Sequence, residues 1–154
     1  MTILTIDIGG SSVKSAIYTS ELVNQKQFMS PKTLSEMQAQ LDELIQSYLA
    51  QYPVETLAFS VPGIANQVTG RVDGVSSLRY IHDFDFVAYF KEKYQLPVFF
   101  ENDANCACKA EIHLGIAGEV KNALFMVIGT GVGGTIISNG QIQPGEHAYG
   151  GEFG

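Results

Sequence analysis

The sequence predicts an α/β fold in which a β-meander leads into alternating helices and strands. Three observations predict it. Alternation of apolar and polar residues fills most of the first 29 positions, with only short turns between the segments. Segments with helical spacing then alternate with short apolar runs, and the C-terminal part returns to strands around a glycine-rich turn. The predicted order is β-β-β-α-β-α-β-α-β-β, an antiparallel opening followed by helical crossovers.

The first elements are a three-stranded meander and a helix. Residues 2–8 form a strand that carries Asp7 near its end, the turn 9–12 follows, and residues 13–19 and 22–29 form two further strands. Residues 33–36 read Thr-Leu-Ser-Glu, a capping box that starts a helix. The helix is amphipathic, because its apolar residues recur at helical spacing along one face: Leu34, Met37, Leu41, Leu44, Ile45, Tyr48 and Leu49.

The remaining elements alternate until the last hairpin. A buried strand at 55–63 is stopped by Pro62-Gly63, and a second amphipathic helix runs from Asp83 or Asp85 to Tyr94. A strand begins in 96–100, and 103–114 forms a helix of small residues suited to close packing on a sheet. Residues 122–142 read as strand, glycine-rich turn and strand, with Asn-Gly at 139–140 predicting a type I′ hairpin.

Composition limits the class of protein. A chain of 154 residues with 45% apolar content can bury the core of one domain. No apolar run approaches the roughly 20 residues that cross a bilayer, and the N-terminus lacks the features of a secretory signal. Cys106 and Cys108 are the only cysteines, which excludes a disulfide scaffold. We expect a cytoplasmic protein.

The charge balance limits the kinds of partner that the protein can bind. Nine Lys and Arg against 16 Asp and Glu give a formal net charge of −7. This charge argues against nucleic acid or an anionic membrane as the main partner. It leaves room for a small phosphate ligand, because backbone N–H groups can bind phosphate without side-chain charge.

Two glycine turns are the first candidate sites. They lie in segments 6–16 and 126–136, and neither is a P-loop or a Rossmann fingerprint, because each leads into a strand. Either turn alone is explained by a tight hairpin. Their glycine density, with Ser11 and Lys14 in the first turn and four glycines among positions 129–134 in the second, favours a pair of phosphate-binding turns. Asp7 is then placed to hold Mg²⁺ directly or through water.

The segment Glu-Asn-Asp-Ala-Asn at 101–105 is the second candidate. Asp103 has two interpretations: a helix N-cap, or an acid or base aimed into a cleft from a strand end. Glu152 similarly is either a solvated loop residue or a ligand-binding one. The nearby cysteines, two positions apart on a helix, point about 200° apart and are better explained by core packing than by a shared metal.

The histidines give little indication of a metal or ligand site. His82 and His113 lie beside or within predicted helices and lack metal-ligand partners at useful spacing, so we expect them at the surface or at an edge. His147 precedes Glu152 in the same loop and is a weak ligand candidate.

Taken together, these motifs resemble those of the ROK family, which comprises repressors, uncharacterised reading frames and sugar kinases. The segments that carry the resemblance are DIGGSSVK, SVPGIANQVTGRV, LPVFFENDANCACKAE, IGTGVGG and GGEFG, which span essentially the whole chain. The resemblance implies the actin-like, ribonuclease-H-like ATPase fold, with a mixed five-stranded sheet flanked by helices. It implies transfer of the γ-phosphate of MgATP to a hexose hydroxyl.

The resemblance also implies roles for single residues. Asp103 matches the catalytic base, while Asn102, Glu152 and Gly63 match positions that contact the sugar. Asp7 matches a residue that holds Mg²⁺ through water. The phosphate-binding positions, which also include Asp7, are Gly9, Gly10, Ser11 and Lys14 in the first turn and Gly129, Thr130, Gly131, Gly133 and Gly134 in the second.

The chain departs from the family pattern at its end. The cysteine-rich zinc motif and the second domain that normally follow are absent from residues 1–154. We therefore interpret the chain as the N-terminal domain of a two-domain kinase, inactive by itself, whose full-length parent forms a homodimer. Whether that parent binds zinc, and which sugar it uses among glucose, N-acetylmannosamine, fructose and β-glucosides, stays open.

Two other functions compete with the kinase. A transcriptional regulator of the same family would need a DNA-binding segment before Asp7 and a basic face, and we expect neither. A non-catalytic sugar- or nucleotide-sensing module would be expected to lack the base, yet Asp103 is present.

Overall fold

The computed structural model describes residues 1–129, 131–145, 150, 151 and 153, with the backbone alone at position 83. The chain divides into two compact units, Met1–Phe100 and Glu101–Gly154. The strands in chain order are β1 Ile3–Ile8, β2 Ser12–Tyr18, β3 Leu22–Met29, β4 Thr56–Val61, β5 Ile64–Asn66, β6 Arg71–Asp73, β7 Val98–Asn102, β8 Ala123–Ile128, β9 Val132–Ser138 and β10 Gln141–Ile142. The α-helices are α1 Leu34–Leu49, α2 Phe86–Tyr94 and α3 Asp103–Leu114, and a 3-10 helix spans Arg79–Asp83.

A mixed five-stranded sheet has the strand order β3-β2-β1-β4-β7. β1 pairs with β2 and β2 with β3 in antiparallel fashion, whereas β1 and β4 are parallel. The sheet confirms the predicted mixture of an antiparallel opening and a helical crossover, since α1 connects the meander to β4. Parallel pairing of β1 with β4 brings the ends of these two strands to one edge.

The first unit is built on a core of aliphatic and aromatic side chains. α1 buries the apolar face that its spacing predicts, namely Met37, Leu41, Leu44, Ile45 and Tyr48. α2 contributes Phe86 and Phe90, which pack with Phe59 of β4 at ring-centroid distances of 5.0 and 4.7 Å. This burial supplies the largest favourable contribution to folding.

The capping box at the start of α1 is confirmed in altered form. The Thr33 hydroxyl accepts from the backbone N–H of Glu36 at 3.3 Å, as a cap requires. The Glu36 carboxylate accepts from the backbone N–H of Lys32, one residue earlier than the usual partner.

The segment between β4 and α2 differs from the prediction. β5 and β6 form a small antiparallel hairpin, and the 3-10 helix follows, where the sequence predicts no element. α2 begins at Phe86 with Asp85 as its N-cap, one residue from the second of the two predicted starts, Asp83 and Asp85. Strands of three residues are too short to show alternation, so the sequence pattern does not reveal them.

The second unit pairs α3 with a three-stranded antiparallel sheet of order β10-β9-β8. Asn139 and Gly140 connect β9 to β10 with φ of 54° and 76°, which confirms the type I′ turn. Alternate residues of β8 are exposed although all are apolar: Leu124 is 72% exposed, Met126 57% and Ile128 79%. None of the helices described here is long and apolar enough to cross a bilayer.

Asp42 of α1 connects the two helices of the first unit. Its carboxylate accepts from the hydroxyls of Tyr89 and Tyr94 at 2.8 and 2.6 Å and forms an ion pair with Lys93. Burial raises the pKa of Asp42, but the hydrogen bonds from Lys93, Tyr94 and Tyr89 outweigh it and hold the pKa below its usual 3.8. The fold therefore favours the ionised carboxylate.

We expect Asp42 to give the chain a stability that is lost in acid. Because the folded pKa lies below the unfolded one, this stability is present above about pH 4 and disappears as the pH falls through the folded pKa. Asp42→Asn should flatten the fall in the free energy of unfolding below pH 4, measured by urea titration at successive pH values. Asp85→Asn is the matched control, because Asp85 is 67% exposed in its ion pair with Arg71. An unchanged slope for Asp42→Asn would contradict this interpretation.

Candidate functional site

The first glycine turn connects β1 to β2. The backbone N–H of Gly9 donates to the carbonyl of Ser12 at 3.0 Å, and the Ser30 hydroxyl donates to the carbonyl of Gly9 at 2.6 Å. Gly9, Gly10 and Ser11 thus lie in a short loop that Ser30, the residue after β3, helps to hold. A fixed loop of backbone groups at a sheet edge is the kind of structure that binds an anion without side-chain charge.

Asp7 lies beside this loop, between two neighbouring strands. It is paired with Lys14 of β2 and with Ser60 of β4, and paired residues present their side chains on the same face of a sheet. The Ser60 hydroxyl donates to Asp7 Oδ1 at 2.8 Å. One oriented carboxylate with a lysine nearby suits a hydrated Mg²⁺ ion and its phosphate ligand, because Mg²⁺ keeps several waters and takes one or two carboxylates.

Gly63 occupies the turn between β4 and β5. Its φ of +89° lies in the left-handed region, and a Cβ at this position would be 2.8 Å from the carbonyl oxygen of Asp73. The same Cβ would be 3.0 Å from Cε1 of His82. Both the backbone conformation and the close neighbours therefore require glycine here.

The half-buried side chain of His82 lies against this turn, in keeping with an edge position and not with a fully exposed one. Its Nδ1 donates to the carbonyl of Val72 at 3.0 Å, and its Nε2 accepts from the Ser76 hydroxyl at 2.9 Å. The carbonyl accepts only, which fixes the proton on Nδ1. The 3-10 helix carries this side chain. Because that helix is short, the sequence pattern does not reveal it. His113, by contrast, is exposed as predicted.

Gly63→Ala is expected to lower the free energy of unfolding by about 1–2 kcal/mol from the left-handed φ alone. The approach to the Asp73 carbonyl should add to this loss. Urea unfolding of the variant measures it. Gly118→Ala provides the control, since a Cβ there would meet only the Ile112 carbonyl at 3.4 Å, an ordinary contact. Equal stabilities of the two variants would show that the turn is not constrained as described.

The second unit contains the acidic segment. Asn102, the last residue of β7, is the N-cap of α3, and its side-chain oxygen accepts from the backbone N–H of Asn105 at 3.0 Å. Asp103 is the first helical residue, and its Oδ1 accepts from the backbone N–H of Ala104 at 2.8 Å. Of the two interpretations of Asp103, the structure excludes the N-cap, because Asn102 has that role. A carboxylate in the first turn is favoured by the helix dipole.

Four further polar residues lie at or near this helix start, and the sequence alone assigned none of them a role. Glu101 accepts from Lys109 Nζ at 2.5 Å and from Asn105 Nδ2 at 3.2 Å. Asn105 in turn accepts from the hydroxyl of Thr135, which is fully buried in β9. Burial raises the pKa of Glu101, but its hydrogen bonds from Lys109, Asn105 and the Asn102 backbone lower the pKa by more. The carboxylate of Glu101 is therefore charged at neutral pH.

The second glycine turn connects β8 to β9. The backbone N–H of Gly129 donates to the carbonyl of Gly131 at 2.9 Å. A Cβ on either glycine would meet nothing within 4 Å in the described part of the chain, so crowding there does not explain them. A Cβ on Gly133, by contrast, would lie 3.2 Å from the Cβ of Ala104 in α3, and one on Gly134 would collide with the ring of Phe153.

Some predicted site residues lie outside the described residues: Thr130, Glu152 and the candidate ligand His147. Among the residues that are described, no group of three or more His, Cys, Asp or Glu could hold a metal ion. Cys108 is fully buried, in keeping with the core-packing interpretation, and burial raises the pKa of its thiol.

Comparison with known proteins gives the family. The sequence matches the ROK family over residues 3–154. It is 34% identical over 157 residues to the β-glucoside kinase of Listeria innocua, an alignment that covers 100% of this chain and 52% of that protein. A ROK family protein from Streptococcus pneumoniae TIGR4, solved in complex with sucrose, is 42% identical with a TM-score of 0.83 and is 52% covered.

The chain spans about half the length of the curated relatives it matches. A ROK family transcriptional regulator, described as a homolog of the E. coli MLC protein, also shares the fold, at 23% identity and a TM-score of 0.75 with 39% of its chain covered. These similarities confirm the predicted actin-like ATPase fold. The fold by itself does not separate kinases from regulators.

Proposed function

Because the chain belongs to the ROK family, we propose that it forms part of an ATP-dependent sugar kinase that phosphorylates a hexose hydroxyl. One observation carries this proposal beyond family membership. Asp103 lies in the first turn of α3, and that turn packs directly on the strand that leaves the second glycine turn, at Ala104 and Gly133. A carboxylate and a phosphate-binding turn built on the same two elements are what phosphoryl transfer to an alcohol requires.

Asp103 would act as general base and accept the proton of the hydroxyl that becomes phosphorylated. Asn102 and Glu152 would hydrogen-bond neighbouring sugar hydroxyls and thereby select the reacting oxygen. Gly63 would contact the sugar through the backbone of its turn, whose φ of +89° requires glycine. Positioning should supply much of the acceleration, because a carboxylate is a modest base.

The phosphate groups would be held by the two glycine turns. Gly9, Gly10 and Ser11, with Lys14 beside them, would form one turn, and Gly129, Thr130, Gly131, Gly133 and Gly134 the other. Asp7 would hold the metal ion through water, oriented by the hydroxyl of Ser60. When bound, MgATP supplies the transferred phosphoryl group, and the metal neutralises charge on the phosphates.

The working kinase would need more polypeptide than this chain. Support comes from the relatives, which are about twice as long, and from Leu124, Met126 and Ile128, an apolar row on β8 that is exposed in the second unit. Antiparallel sheets that face water carry polar residues at such positions. We propose a second domain that completes the cleft, a cytoplasmic homodimer as the full-length protein, and little or no turnover by this chain alone; structural zinc in that protein stays undecided.

An ADP-release assay tests the proposal. The natural full-length protein is incubated with MgATP and a panel of glucose, N-acetylmannosamine, fructose and β-glucosides. We expect sugar-dependent ADP release with at least one of them, and mass spectrometry of the product should show one added phosphoryl group. ATP binding without turnover across the panel would instead favour a sensing module.

A transcriptional regulator of the ROK family is the competing function. The formal net charge of −7 supports a protein without a nucleic-acid partner. Gel-shift titration against genomic fragments at physiological salt provides the direct test, because specific DNA binding without sugar phosphorylation would replace the kinase proposal.

A further inference from the structure

We propose that Asn105 is a positioning residue that fixes the second glycine turn against the start of α3. The proposal rests on the function proposed above, because it concerns how the base Asp103 is held relative to a phosphate-binding turn. Its geometric basis is a chain of hydrogen bonds within the second unit that runs from β7 through α3 to β9.

The orientation of the Asn105 amide is fixed by its two partners. The Glu101 carboxylate can only accept, so the amide nitrogen of Asn105 faces it at 3.2 Å. The amide oxygen then faces β9 and accepts from the Thr135 hydroxyl at 2.9 Å. If the amide were flipped, its oxygen would face the Glu101 carboxylate, and two acceptors would oppose each other. Only one orientation of the amide therefore satisfies both contacts.

Glu101 is itself held in place, so the amide has a rigid support. Its carboxylate accepts from Lys109, two turns along α3, and from the backbone N–H of Asn102. The helix therefore supplies both the residue that is oriented and the cation that fixes its partner. Asn105 is tied to β7 through Glu101 and to β9 through Thr135.

The bond to Thr135 acts where the two candidate parts of the site meet. Thr135 follows Gly133 and Gly134 at the start of β9, and it is fully buried. One residue after Asp103, Ala104 faces Gly133 so closely that a Cβ on Gly133 would lie 3.2 Å from the Cβ of Ala104, tighter than an ordinary contact. The contact between Ala104 and Gly133 limits how closely α3 approaches β9. The hydrogen bond between Asn105 and Thr135 fixes the position of α3 along β9. Asn105 thus controls the placement of the base through Thr135.

The first test uses the backbone of the chain and does not depend on the proposed reaction. Thr135→Val keeps the side-chain shape but removes the donor, whereas Thr135→Ser keeps the hydroxyl and serves as the matched control. We expect faster amide hydrogen exchange in Gly133–Ile137 for Thr135→Val and for Asn105→Ala, with Thr135→Ser close to the unaltered protein. Unchanged exchange in both disruptive variants would overturn the proposal.

The second test uses kinetics of the natural full-length protein. Thr135→Val and Asn105→Ala should each lower kcat by about 10- to 100-fold, since displacement of a reacting group by 1 Å costs about that much. The KM for the sugar should stay within about threefold, and Thr135→Ser should recover most of the lost rate. A purely structural defect would lower the active fraction without the recovery or the separation of kcat from KM.

The double variant Asn105→Ala/Thr135→Val decides whether the two residues act together. If the two residues act through the same hydrogen bond, the kcat of the double variant should match that of each single variant, because the second substitution removes no further interaction. Multiplied losses would mean independent roles and would refute the coupling. Absence of sugar phosphorylation in the unaltered protein would end the kinase proposal, while the exchange experiment would still test the Asn105 contact.

Discussion

Under the kinase proposal, Asp103→Asn is expected to lower the kcat of the full-length protein for sugar phosphorylation by about 10²–10⁴-fold, the range that a positioned general base contributes. Asparagine keeps the size of the side chain and an oxygen that can accept from Ala104, so the start of α3 should stay intact. It cannot take the proton of a sugar hydroxyl. Steady-state ADP release at saturating sugar and ATP measures the loss.

The control for this variant is Glu119→Gln, which removes an exposed carboxylate beyond the end of α3. It should retain the turnover of the unaltered protein. Circular dichroism should show the same helix content and melting temperature for Asp103→Asn as for the control. Near-normal turnover of Asp103→Asn would show that another group takes the proton.

Phe90→Ala should cause the largest loss of stability among the changes considered, about 3–5 kcal/mol in the free energy of unfolding. Phe90 is fully buried in α2. Its ring contacts those of Phe59, Phe86, Tyr89 and Tyr94 at centroid distances of 4.7, 5.1, 5.0 and 6.4 Å. Truncation would leave a cavity among aromatic rings that cannot collapse without losing these contacts.

A loss of this size is a large part of the total stability of a domain, which is about 5–15 kcal/mol. Urea unfolding followed by tyrosine fluorescence measures it. Phe99→Ala is the matched control, because Phe99 is 64% exposed in β7 and its truncation should change stability by at most about 0.5 kcal/mol. Similar values for the two variants would mean that the aromatic cluster is not the core of this unit.

Elements with a local cause were predictable from the sequence. α1 follows from the spacing of its apolar residues and from the Thr33 cap, and both features act within one turn of the chain. The turn at Asn139 and Gly140 follows from the positive φ that these residue types tolerate. The β5–β6 hairpin was missed because strands of three residues are too short to show alternation, although its connecting loop has a local cause, the Asn66 side chain that accepts from the backbone N–H groups of Val68 and Thr69.

The candidate site divides in the same way. Asp7, Gly63 and Asp103 could be proposed because each stands in a recognisable local motif. Ser60 and Thr135 could not, since each gains its role from a partner that is distant in sequence, and His82 could not, because the sequence pattern does not reveal the short 3-10 helix that carries it. Ser60 lies 53 residues from Asp7, and Thr135 lies 30 residues from Asn105. Hydrogen bonds of this kind depend on the tertiary fold, which no periodicity or spacing contains.

The apolar row on β8 has a consequence for the cell. A polypeptide that showed Leu124, Met126 and Ile128 to water would present the short hydrophobic strand that chaperones bind and proteases clear. A second domain of the kind proposed above would bury this row, so the exposure of Leu124, Met126 and Ile128 would distinguish a chain without that domain from the full-length protein.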